Sequence, residues 1–337
     1  MKSEKNKRIE WIDVARGIGI VLVVLGHTGI NANIGKWIFS FHMPLFFFIS
    51  GLVFHATNTT TFVEFTKKRL KSWVMPYILY TLLIISFWAL IASRGQSLWG
   101  YIRSVLLMGW GYNSTTLALW FIPVLTCTCV LWFCVIKYCG NKYKSMFFLS
   151  VFLLLGHVLN YHSLVLPYKL HVAFYAVWFL GIANIFSKKI LSLERLGLFE
   201  FTGLMLACII INMICVSCNA KVDMATNRLG SDFGFGLFGA MSGLFVIILL
   251  AMAISSTSLN IAKKSLVFLG QNTLFILATH QTICQVLRFS MTTFISNDLL
   301  LSKLVRHSLL WFLMVIIIIF KNRLQSEWLC RVKAANL

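Results

Sequence analysis

The sequence predicts an all-α protein: a polytopic transmembrane helical bundle of about ten spans, with its N and C termini in the cytoplasm (N-in and C-in). Hydrophobic residues make up 59% of the 337 residues and charged residues only 12%, which is more apolar surface than a soluble domain of this length can bury. Apolar runs of roughly 20 residues, the length that crosses a bilayer as a helix, recur along the whole chain. The positive charges lie mostly in short segments between these runs.

Ten apolar runs follow one another along the chain, and several begin or end in Trp or Tyr, as expected at a membrane–water interface. The predicted spans are Trp11–Ile30, Trp37–His55, Trp73–Ala92, Leu117–Ile136, Met146–Tyr161, Leu170–Phe186, Phe199–Ser217, Phe233–Ser255, Leu266–Leu287 and Leu304–Phe320. The loop between the third and fourth spans is long and rich in aromatic residues. We expect one membrane-embedded domain over residues 1–337, with spans from roughly 9 to 320 and short cytoplasmic tails.

The distribution of Lys and Arg supports this topology. Of the 30 Lys and Arg residues, 20 lie in segments predicted to be cytoplasmic, 9 lie in outer segments, and Arg16 alone lies inside a span. This bias is the one that orients membrane proteins. The basic N terminus and the apolar run after it resemble a signal peptide, but Asp13, Arg16 and the lack of a small-residue cleavage pattern favour a permanent helix. The formal charge of +20 is dispersed in these loops, so we expect the lipid bilayer, and no nucleic acid, as a partner.

The first predicted helix contains the ionisable residues that most strongly suggest a function. Charged side chains inside a span are costly and usually face a polar cavity. Arg16 and His27 are eleven residues apart, about three helical turns, so they share one face and lie roughly 16 Å apart along the axis. Asp13 lies one turn before Arg16 and can pair with it. The alternative is purely structural: Asp13 and Arg16 would form an ion pair that only packs the bundle, and His27 would be an ordinary histidine at the membrane interface.

Five motifs, in order along the chain, resemble those of acyltransferase family 3, integral membrane enzymes that O-acylate carbohydrates. They are the Arg16-x10-His27 spacing, Phe41–Gly51, Lys67–Leu70 followed by Pro76-Tyr77, Trp120–Pro123, and Gly270–Leu274 followed by His280. The fourth motif resembles the branch that contains fucose 4-O-acetylase-like and enterobacterial common antigen acetylase proteins. The resemblance extends from about Ile9 to Phe320.

This resemblance implies an O-acetyltransferase of the bacterial cytoplasmic (inner) membrane. The acyl donor would be acetyl-CoA, the acceptor a hydroxyl of a surface polysaccharide or of a lipid-linked glycan precursor, and no metal would be needed. A sugar hydroxyl is a weak nucleophile near neutral pH, so a general base is expected to assist the transfer.

His27 is the best candidate for the general base, because the pKa of histidine lies near the working pH. Arg16, paired with Asp13, could hold an anionic group or stabilise developing negative charge. We expect His42 and His280 to contact substrate or to be alternative bases; ordinary packing at the helix end is the alternative role for His42. Ser50, Trp120 and Asn272 are further candidates for substrate contact, although packing is the alternative role for Ser50 and Asn272.

The segment after the second span is the densest cationic cluster between two spans, and it is predicted to be cytoplasmic. Phosphates of acyl-CoA need cationic partners, so this segment is the predicted donor-binding site; its alternative role is topology signalling alone. The residues concerned are Lys67, Lys68, Arg69 and Lys71.

Two other functions remain open from sequence. A transporter, for example an exporter of a lipid-linked glycan, would also contain buried Arg and His, but the two halves lack matched broken helices. A non-enzymatic membrane scaffold would not explain ionisable residues on one face of the first helix.

Overall fold

A computed structural model describes residues 9–28, 31–55, 60–75, 77–82, 86, 117–291 and 300–335. Within these residues the helices are joined by turns and loops, and the only β pairing is an isolated bridge between Asp223 and Arg228, which confirms the predicted all-α class. The helices are α1 Glu10–Thr28, α2 Ala32–Leu52, α3 Phe62–Arg69, α4 Phe121–Cys139, α5 Lys142–Tyr161, α6 Leu170–Ile185, α7 Ser187–Leu191, α8 Leu198–Cys218, α9 Phe233–Ser256, α10 Asn260–Gln271, α11 Thr273–Met291 and α12 Leu300–Ala335.

Six of the described helical segments are long and apolar enough to cross a membrane, and a seventh is formed if α6 and α7, which meet at an angle of 67°, count as one broken span. The six are Glu10–Thr28, Ala118–Cys139, Lys142–Tyr161, Leu198–Cys218, Phe233–Ser256 and Leu301–Arg323. The chain is thus a multi-pass membrane protein. The count of ten spans and the orientation remain predictions, and half of the third predicted span and the whole loop after it lie outside the described residues.

Helix α2 is held at both ends by buried or half-buried amide side chains. Near its start, Nε1 of Trp37 donates to Oδ1 of Asn212 at 2.8 Å, and Nδ2 of Asn212 donates to the carbonyl oxygen of Gly239 at 2.8 Å. At its end, Nδ2 of Asn184 donates to the carbonyl oxygen of Gly51 at 3.1 Å. Trp37 thus joins α2 to α8, Asn212 joins α8 to α9, and Asn184 joins α6 to α2, so these bonds fix α2 in the bundle.

Helix α1 packs among α2, α9, α10 and α11, and its closest approach is to α10. A Cβ atom on Gly17 would lie 2.1 Å from the carbonyl oxygen of Leu266, and one on Gly270 would lie 2.0 Å from the carbonyl oxygen of Asp13. Only glycine permits the two backbones to approach so closely. This contact fixes α10 against the half of α1 that contains Asp13 and Arg16.

The predicted span Leu266–Leu287 is not one continuous helix. The helix breaks at Asn272, which ends α10 and precedes α11. Asn272 donates its Nδ2–H to the carbonyl oxygen of Phe268 at 2.9 Å and accepts a 2.8 Å hydrogen bond from Nζ of Lys321 in α12. The polar residues Gln271, Asn272 and Thr273 interrupt the apolar run at this point. The side chains of Asn272 and Thr273 hydrogen-bond to backbone carbonyl groups of the preceding turn, and such bonds compete with the helix.

Candidate active site

His27 lies in the last turn of α1, and its imidazole contacts two residues of α11. Nε2 of Gln281 donates a hydrogen bond of 3.0 Å to Nδ1 of His27. The ring centroid of His280 lies 5.4 Å from that of His27. His27 is exposed, whereas His280 is completely buried. The bundle therefore brings together two histidines that were singled out separately from the sequence.

Helix α2 adds a third histidine to this group through Phe39. The Phe39 ring lies edge-on to both neighbours, with centroids 5.5 Å from His27 and 4.8 Å from His42. Nζ of Lys221, in the segment between α8 and α9, lies 4.2 Å from the centre of the same ring. We define the histidine cluster as His27, Phe39, His42, His280 and Gln281.

Backbone carbonyl groups determine which ring nitrogen carries the hydrogen in two of these histidines. Nδ1 of His42 lies 2.9 Å from the carbonyl oxygen of Ile38, and Nδ1 of His280 lies 2.9 Å from that of Ile276 and 3.0 Å from that of Leu277. A carbonyl oxygen can only accept, so Nδ1–H is the donor in both rings. In the neutral rings Nε2 is then an acceptor, and Nε2 of His280 is buried without a hydrogen-bond partner among the described residues.

Asp13 and Arg16 form the pair that their spacing predicts. Nη1 of Arg16 lies 3.4 Å from Oδ1 of Asp13. The Asp13 side chain is almost completely buried, at 3% exposed, while that of Arg16 is 28% exposed. The carboxylate is thus enclosed, whereas the Arg16 side chain is partly exposed.

The other three candidates for substrate contact make contacts within the protein. The Ser50 hydroxyl donates to the carbonyl oxygen of Phe46 at 2.7 Å, and Asn272 is occupied by Phe268 and Lys321 as described above. Trp120 is buried, and Nζ of Lys169 lies 5.9 Å from the centre of its ring. A substrate role for these residues remains a prediction, and the histidine cluster does not include them.

The predicted donor-binding segment divides into accessible and packed cations. Lys67, Lys68 and Lys71 are exposed. The Arg69 guanidinium instead lies over aromatic rings, 5.1 Å from the centre of Phe65 and 4.6 Å from that of Trp73. Such cation–π contacts give Arg69 a packing role, so the three lysines are the residues available to phosphates.

A capping box fixes the start of α3, the helix that contains most of these cations. Oγ1 of Thr61 accepts from the Glu64 N–H at 3.2 Å, and Oε2 of Glu64 accepts from the Thr61 N–H at 3.0 Å. Hydrogen bonds from the backbone and side chain of Thr61 lower the pKa of the exposed Glu64 carboxyl below its ordinary value. The Glu64 carboxylate is therefore committed to the cap.

Comparison with known protein families identifies the family to which this chain belongs. The sequence profile of acyltransferase family 3, whose description is acyltransferase domain, matches residues 9–320. The chain belongs to acyltransferase family 3. No curated protein and no solved structure shows significant similarity to it. The protein is thus a membrane acyltransferase, and the resemblance inferred from the five motifs is confirmed at the level of the family.

Sequence reasoning missed three residues that surround His27 in this acyltransferase. Gln281 follows His280 directly, and a polar side chain at mid-span could have marked it. Lys221 was considered only as a loop charge, and Phe39 only as one of many apolar residues. Their proximity to His27 depends on how α1, α2, α11 and the segment between α8 and α9 pack together, which no local pattern predicts.

Proposed function

We propose that this acyltransferase moves an acetyl group from cytoplasmic acetyl-CoA to a hydroxyl of a surface polysaccharide or of its lipid-linked precursor, in the bacterial cytoplasmic membrane. The observation that carries the proposal is the histidine cluster at the C-terminal end of α1. Membership of the family supplies acyl transfer, and the branch-level motif resemblance supports acetyl as the group and a carbohydrate as the acceptor.

In the proposed reaction, His27 takes the proton from the acceptor hydroxyl as its oxygen attacks the thioester carbonyl carbon. The C–O bond forms, the C–S bond breaks, and the proton passes from His27 to the leaving thiolate, so that free CoA and the ester are the products. His27 is suited to this role because it is the exposed histidine of the cluster, while His42 and His280 are buried. The two buried rings lie beside His27 and contribute polar groups around it.

Arg16 is too far from His27 to act on the same reacting group, and we assign it to the acyl donor. It lies eleven residues before His27, so the two Cα atoms are roughly 16 Å apart along α1. The side chains therefore do not act on the same carbonyl group. With the N terminus in the cytoplasm, a donor arriving from inside would pass Arg16 first and extend its thioester along α1 towards His27.

The decisive experiment measures acyl transfer by purified protein in detergent or liposomes. Radiolabelled acetyl-CoA and an isolated surface glycan should give labelled ester and free CoA in equal amounts. A transporter would consume no thioester. Absence of CoA release from wild-type protein with any glycan acceptor would contradict the proposal, and His27→Ala protein supplies the background rate.

A further inference from the structure

The hydrogen bond between Gln281 and His27 joins the carboxamide group of Gln281 to the imidazole ring of His27. Nε2 of Gln281 lies 3.0 Å from Nδ1 of His27, and Oε1 of the same amide is buried without a hydrogen-bond partner among the described residues. The oxygen and nitrogen of a carboxamide have nearly the same shape, so rotating the group by 180° exchanges them without changing the packing. The hydrogen on His27 therefore decides which end faces it.

The two amide orientations correspond to two forms of His27. When the amide nitrogen donates to Nδ1, the hydrogen of neutral His27 lies on Nε2, and that nitrogen has no lone pair for a proton. When Oε1 faces Nδ1, Nδ1–H donates to it and Nε2 presents its lone pair. The second arrangement also holds the imidazolium, because Nδ1–H remains a donor after Nε2 has taken a proton.

None of the other side chains described around His27 can accept a hydrogen bond from its Nδ1–H. Nδ1–H of His42 and of His280 is already committed to a backbone carbonyl, and Phe39 has no polar atom. Lys221, above the Phe39 ring, is a donor only. Among the described side chains that contact His27, which are Phe39, His280 and Gln281, only Gln281 has an oxygen for Nδ1–H.

We propose that Gln281 is a positioning residue for His27: its Oε1 accepts the Nδ1–H hydrogen and aims the Nε2 lone pair at the acceptor hydroxyl. The inference rests on the proposed function, because it assumes that His27 is the general base. Gln281 thus holds the place that a carboxylate takes in hydrolase triads. A neutral amide orients the ring without adding negative charge, so the ring can be neutral when the acceptor arrives.

The test compares Gln281→Leu with Gln281→Glu in full-length purified protein, using acetyl-CoA and the glycan acceptor. Leu keeps the volume and removes the acceptor oxygen. It should lower kcat by roughly 10- to 100-fold, the usual effect of losing an orienting partner, with little change in KM. A kcat within twofold of wild type, with His27→Ala inactive, would overturn the role of Gln281 and leave the proposed function intact.

Gln281→Glu supplies a readout that a packing role would not change. The carboxylate keeps an oxygen on Nδ1–H but stabilises the protonated ring, against the opposing charge of Lys221 and any charge on His42 and His280. The acid limb of the kcat profile should move to higher pH, with activity recovered at the alkaline end. An unmoved limb would overturn the inference, even if Gln281→Leu failed to fold. Wild-type activity of His27→Ala would overturn the role of His27 as the base and this inference with it, whereas absence of CoA release from wild-type protein would overturn the proposed function itself.

Discussion

The imidazole rings of His27 and His280 lie 5.4 Å apart, although one is near the start of the chain and the other near its end. His27 is accessible and His280 is completely buried. A substrate can therefore reach the His27 ring, whereas it cannot reach the His280 ring directly.

His27→Ala is expected to lower kcat by about 10²- to 10⁴-fold, the range of general-base assistance, while leaving expression and membrane insertion unchanged. His280→Ala is the matched control: it should reduce activity less, because its ring does not meet the acceptor. Both are measured as CoA release with the glycan acceptor. If His27→Ala keeps wild-type activity, His42 or His280 becomes the leading base.

Arg16→Lys is expected to lower kcat/KM by at least about tenfold, equivalent to ~1.4 kcal/mol. Lysine keeps the charge but cannot supply planar, forked recognition. Lysine can still pair with Asp13, so folding should be retained, and thermal stability in detergent checks this. Wild-type kinetics in the lysine variant would reduce the role of Arg16 to simple charge.

Neutralising Lys67 and Lys68 together is expected to raise the KM for acetyl-CoA by roughly 2- to 30-fold, since exposed ion pairs contribute about 0.2–1 kcal/mol each. Arg69 is left in place because its guanidinium packs on Phe65 and Trp73. Lys188→Gln with Lys189→Gln is the matched control, since both residues are exposed and predicted to be cytoplasmic. Equal KM values in the two double variants would assign α3 to topology signalling.

Gly270→Ala is expected to destabilise the protein by about 1–3 kcal/mol, the usual effect of overpacking, because the new Cβ would lie 2.0 Å from the carbonyl oxygen of Asp13. Gly203→Ala, in α8, is the control: nothing lies within 4 Å of its Cβ position, and alanine favours a helix. Thermal unfolding in detergent measures both. A Tm for Gly270→Ala equal to that of Gly203→Ala would contradict the close contact of α1 with α10.

The predicted orientation is tested by cysteine labelling in a background without native cysteines. A membrane-impermeant maleimide added outside intact cells should reach Lys221→Cys and not Lys189→Cys, as both positions are exposed. Permeabilised cells should label both. Labelling of Lys189→Cys in intact cells would overturn the N-in topology.

The all-α class, the bounds of several helices and the family could be predicted from the sequence, because they depend on local properties. An apolar run of 20 residues must hydrogen-bond its own backbone in a membrane, and a helix does so without distant partners. Thus α8 and α9 begin and end within one residue of the predicted spans. Other helices extend beyond the predicted spans: α2 begins at Ala32 rather than Trp37, and α12 continues to Ala335 rather than ending at Phe320. The pairing of Asp13 with Arg16 is equally local, since a spacing of three residues places the two side chains together on any helix.

What only the tertiary structure decided is how distant segments meet. At the helix break, Asn272 accepts a hydrogen bond from Lys321 of another helix, and the contact of Gly270 with α1 depends on how two backbones cross. The sequence singled out His27, His42 and His280 as separate candidates, but their grouping around Phe39 and the contact of Gln281 with Nδ1 of His27 come from helix packing. Hydropathy and spacing describe each helix alone, whereas an active site is built where several helices converge.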